Sequence, residues 1–97
     1  MVELSPFDAA TYLETEEDVV IFLDDALETG EPFEIADALA VIARAKGLME
    51  AAEQAGLSKA VLDRVAPPED APDWPILLNV MKALGLRLAP VAIKPAA

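Results

Sequence analysis

The chain has no cysteine and no histidine, and Ser5 and Ser58 are its only serines. Without cysteine there is no disulfide, no thiolate metal centre and no thiol redox switch. Without histidine as well, the commonest nucleophile and base pairs cannot be assembled. Carboxylates are abundant, but they form no recognisable ligand loop. A calcium loop opening at Asp25 would place Gly30 correctly at its sixth position, yet Leu27 and Ala36 stand where the third and twelfth ligands belong. The sequence therefore predicts no enzyme, no metal and no cofactor. No apolar run approaches the roughly 20 residues of a membrane span, and no signal-peptide pattern opens the chain. A cytoplasmic protein without membrane contact is expected.

Aromatics are scarce, at five in 97 residues, while hydrophobic residues make up 55% and many are alanine. Strands favour branched and aromatic side chains, whereas alanine is the best helix former. An all-α fold follows, a compact bundle of five to six short helices in a single domain with just enough length for one core. Basic residues are missing from the first 43 positions. Those positions hold twelve acids and no lysine or arginine, so they carry -12; residues 44–97 carry +1, and the whole chain is at -11. Such asymmetry suggests that the acidic half meets a basic protein partner and the near-neutral half does something else. Asp24, Asp25 and Glu28 are the candidates for the partner contact.

The densest pattern lies between Leu48 and Val65. Ala52 precedes Gly56 by four residues, Leu57 follows the glycine, and Leu62 and Val65 come six and nine residues after it. Two helices crossing steeply around a short turn need a small residue where their backbones approach, which Ala52 supplies. They need a glycine in the turn, which is Gly56, and a cap on the second helix, which is Ser58. This is helix-turn-helix spacing. Leu62 and Val65 are expected to hold the second helix to the core, leaving Lys59, Ala60, Asp63 and Arg64 outward. With Ser58, that outward set forms the candidate DNA contacts.

Along the chain, Ser5 to Asp8 reads as a lead-in to a short helix over Ala9–Leu13. Thr15 and Asp18 then form a capping box for a helix with a buried stripe of Val19, Val20, Leu23, Ala26 and Leu27, closed by Gly30. Pro32 opens the next helix, whose apolar face is Ile35, Ala36, Leu39, Ile42 and Ala43. Arg44 and Lys46 lie in its last turn, where cations suit the dipole or hold a phosphate, and Gly47 closes it. Met49–Ala55 and Lys59–Ala66 are the helix-turn-helix pair, stopped by Pro67 and Pro68. Asp73 caps a final helix with Leu77, Leu78, Met81 and Leu84 inward and Trp74 sealing the core, ended by Gly85. Three segments result: acidic helices to residue 47, the pair and last helix over 48–88, and a tail over 89–97. The tail reads as a short extended arm or a disordered end.

Four blocks now stand in order: Tyr12 to Asp18, Ala38 to Gly47, Ala55 to Ser58, and Val80 to Leu86. Together they resemble the short bacterial addiction-module antidote proteins, antitoxins with a lambda-repressor-like fold of the Cro/C1 type, over about nine tenths of the chain. The resemblance implies an antitoxin of a type II toxin-antitoxin module. Such a protein binds and neutralises a small basic toxin and binds operator DNA to repress its own operon; a homodimer is expected because helix-turn-helix proteins of this size usually read paired half-sites. The chain departs from the family pattern at the DNA side, with Met49 and Glu50 opening the first helix of the pair, Asp63 and Arg64 in the second, and Glu69 to Pro72 in the loop beyond. Each departure removes a donor or adds a negative charge near phosphate. An acidic protein-interaction module that keeps the helical pair as scaffold is the other reading.

Overall fold

Helix starts and stops follow from local chemistry. In the computed structural model, which describes residues 13–93, Thr15 has extended backbone and its hydroxyl accepts from the Asp18 amide at 3.0 Å. The Asp18 carboxylate accepts in return from the amides of Thr15 at 3.1 Å and Glu14 at 3.2 Å, completing the capping box. The helix so nucleated, α1, spans Glu16–Thr29 and stops at left-handed Gly30. Pro32 sits in the first turn of α2, Pro32–Lys46, where its missing amide leaves no bond unmade. Gly47 ends α2 in the left-handed conformation. Then follow α3, Met49–Ala55; α4, Lys59–Leu62; a 3-10 turn over Pro68–Asp70; and α5, Trp74–Ala83, whose first turn is capped by the Asp73 carboxylate accepting from the Ile76 amide at 3.2 Å. Among the described residues the fold is all-helical. No helix there is long and apolar enough to cross a membrane. The short helix expected over Ala9–Leu13 lies outside the described residues apart from Leu13, which packs against the core.

The centre of the molecule is α2. Besides the expected Ile35, Ala36, Leu39, Ile42 and Ala43, it also buries Ala38, Ala40 and Val41. A helix apolar on nearly all sides is a core helix, and α2 packs against every other helix and the 3-10 turn. Its alanines keep the girth small enough for the neighbours to close in. Peripheral helices behave differently. The main neighbour of α1 is α2, so its buried stripe narrows to Val19 and Leu23, with Phe22, Ala26 and Leu27 half-buried at the edges. Val20, expected inside, is 53% exposed. On α5, Leu77, Val80, Met81 and the following Leu84 are buried, but Leu78 and Trp74, four residues apart on the outer face, are exposed. Trp74 therefore does not seal the core. Among the described residues α5 rests mainly on α2 and α3, which leaves Leu78 and Trp74 on its outer side open to solvent. Beyond Gly85, Leu86 packs against the core, while Leu88, Val91 and Ile93 are exposed and no strand forms among the described residues.

Candidate functional site

The turn that joins α3 to α4 is built on Gly56, which has positive φ but lies outside the left-handed helical region expected of it. Gly56 adopts φ 129°, and a Cβ there would lie 2.8 Å from Cγ2 of Ile76 on α5. Glycine is required twice over, for the backbone and for the approach of α5. Ala52 and Leu57 on either side are fully buried, and the Asn79 side-chain amide donates to the Ala55 carbonyl at 2.8 Å, fastening the end of α3 to α5. Ser58 caps α4, its hydroxyl accepting from the Val61 amide at 3.2 Å.

The second helix is shorter than its expected span of Lys59–Ala66. Arg64 takes φ 62°, its amide bonds the Val61 carbonyl, and the Val65 amide reaches back to the Ala60 carbonyl at 2.9 Å. These two bonds are a Schellman closure with arginine in the place usually held by glycine. The helix thus ends after one full turn. Val65, expected to anchor it, is 73% exposed, and Val61 takes its place beside Leu62 in the core. Arg64 is held in this conformation by Asp37 on α2: its Nε donates to one carboxylate oxygen at 2.8 Å and a terminal nitrogen to the other at 3.2 Å. The fork is bidentate, but both side chains are about a third exposed, so it contributes about 1 kcal/mol or less.

Lys59, Ala60 and Asp63 face solvent beside Ser58, so α4 presents an exposed face of one cation, one anion and two small residues. Arg64 is exposed as well, although its guanidinium is engaged with Asp37. Lys46 also serves the fold. Its ammonium donates to the Leu84 carbonyl at 2.9 Å and pairs with Glu16 at 2.9 Å, joining the ends of α2 and α5 to the start of α1. Arg44 remains exposed. Sequence reasoning missed Asp37 and Asn79, whose partners lie 27 and 24 residues away with no local spacing to reveal them.

The acidic candidates stand apart on α1. Asp24, Asp25 and Glu28 are exposed, with carboxylate oxygens within 4.8 Å of one another. They crowd the C-terminal half of α1, whose last turn contains no basic residue. Both placements work against the helix, since like charges four apart repel and the negative end of the dipole disfavours anions. No polar or charged side chain is buried among the described residues.

A family model described as "probable addiction module antidote protein" matches residues 3–92 of the chain. An uncharacterized protein of Haemophilus influenzae is 33% identical over 85 residues, which cover 88% of this chain and 88% of that one. No solved structure matches.

Proposed function

Since the chain belongs to the family of probable addiction module antidote proteins, we propose that it is the antitoxin of a type II toxin-antitoxin pair. In this reading it neutralises a small basic toxin by direct binding and represses its own operon through the α3–α4 helix-turn-helix of Cro/C1 type. It acts in the cytoplasm by binding, without catalysis. The observation that carries the DNA half is the α3–Gly56–Leu57–Ser58–α4 unit, which is fixed on α2 and α5 and turns Lys59 and Ala60 outward from the capped start of α4. A homodimer would place two such units on paired half-sites. The acids of residues 1–43 oppose the phosphate backbone at long range, so a bound basic toxin would offset them and strengthen operator binding.

The test is fluorescence anisotropy on a duplex from the chain's own upstream region across a salt series, with a scrambled duplex as control. Specific binding that weakens steeply with salt is expected. Lys59→Ala should lower the salt slope by about 1, the value for one lost phosphate contact, or relax preference at one base pair. Equal affinity for the two duplexes, with and without toxin, would remove the repressor function. A second reading has its own support. The α4 helix is one turn long, its Arg64 is bound to Asp37, and Asp63 lies exposed beside Lys59. These features suit an acidic protein-interaction module that retains the helical pair as scaffold.

A further inference from the structure

An apolar groove runs between α1 and the chain that follows α5. One wall is Val20, Leu23 and Leu27; the other is Leu86, Leu88 and Val91. The groove opens to solvent, with Val20 53%, Leu88 43% and Val91 83% exposed. Acids border the groove only along α1. Asp24 lines it, and Glu17 and Glu28 lie seven residues before and four after on the same helical face. None of these three forms an ion pair with another described residue. Arg87 is the single cation among the lining residues and stands on the wall opposite α1.

We propose that this groove seats a cationic amphipathic segment of a partner protein, with its apolar side chains between the two walls and its lysines or arginines along Glu17, Asp24 and Glu28. The partner is the basic toxin, so the proposal rests on the antitoxin reading. Charge selects this occupant over a second copy of the chain. A twofold interface on this face would set one α1, with six acids and no base, near another. A cationic segment instead relieves the repulsion that α1 carries within itself. The cation on the opposite wall gives the site a direction, because the basic side of the segment is drawn to α1 and turned from Arg87.

The experiment co-expresses the tagged full chain with the protein encoded beside its gene and measures capture and dissociation constant. Val20→Lys and Leu88→Lys place a like charge on each wall at exposed positions, and Val65→Lys is the control on another surface. Unchanged circular dichroism and melting establish that each variant folds. The expected result is capture by the wild type and by Val65→Lys, with affinity reduced roughly tenfold or more in both groove variants, as for truncation at an interface centre. Groove variants that bind within threefold of wild type would overturn the groove while leaving the antitoxin reading intact. A wild-type chain that captures nothing would overturn both. If sedimentation shows that Val20→Lys turns a dimer into a monomer while capture persists, the occupant is a second copy and the proposal falls.

Discussion

Two regions are mounted on the same central helix in opposite ways. The α3–α4 pair is gripped on two sides, by α2 and α5, with a glycine that admits Ile76 and an asparagine tying off α3. By contrast α1 rests mainly on α2, buries two residues fully, and exposes Val20 and Ile21 together with nearly all of its acids. The pair is built for a fixed shape with modest charge. The acidic helix is built for charge and uncovered apolar surface, at some cost to its own stability. The proposed binding of operator DNA by the pair and of a toxin elsewhere would be served by such a division, since a rigid element suits groove docking and an unsaturated face suits association.

The largest test strikes the helix that both regions share. Leu39 is fully buried at the centre of α2, and Leu39→Ala should cost about 3 kcal/mol, within the usual range for a leucine cavity. Because α1 and the pair both rest on α2, both should be lost in one transition, seen as coincident urea curves from circular dichroism and from Trp74 fluorescence. Separate curves would show that the two regions are energetically independent. The second test separates the regions through their turns. Gly56→Ala combines a strained backbone with a clash against a stiff β-branched side chain and should cost about 2 kcal/mol or more. Gly30→Ala between α1 and α2 has open space around the new Cβ, so only the positive φ matters and about 1 kcal/mol is expected. Equal effects would mean that the approach of α5 does not constrain the turn of the pair.

How far these features could be read from sequence depends on how local their causes are. The capping box at Thr15 and Asp18, Pro32 in the first turn of α2, the caps at Ser58 and Asp73, and the glycine closures each need only a few adjacent residues, and each was legible. Which apolar residues become covered was less so. Val20, Leu78 and Trp74 satisfy helical periodicity but face away from the core, because a helix with one or two neighbours covers a narrower stripe than periodicity allows. The end of α4 was misread for the same kind of reason. Nothing near Arg64 announces a left-handed arginine, and the carboxylate that holds it comes from α2. In the candidate sites the residue identities of α4 and α1 were visible, while Asp37 and the C-terminal wall of the groove emerged only from the packing.

The smallest effect has the most informative sign. Asp24 and Glu28 repel each other across one helical turn and sit toward the end of α1 that disfavours anions. Replacing them with Asn and Gln removes both penalties and deletes no side-chain hydrogen bond or ion pair among the described residues, so the double variant should be more stable by about 0.5 kcal/mol. A melting temperature raised by about 2–4 °C is the expected reading for a domain of this size. Under the proposed function the same variant should bind a basic toxin more slowly, with weaker dependence on salt, because the neutralised pair no longer steers encounter. Stability and association would then move in opposite directions from one pair of substitutions. That opposition is what distinguishes carboxylates kept for a partner from carboxylates that only solvate a helix, which would raise stability on removal and leave association rates unchanged.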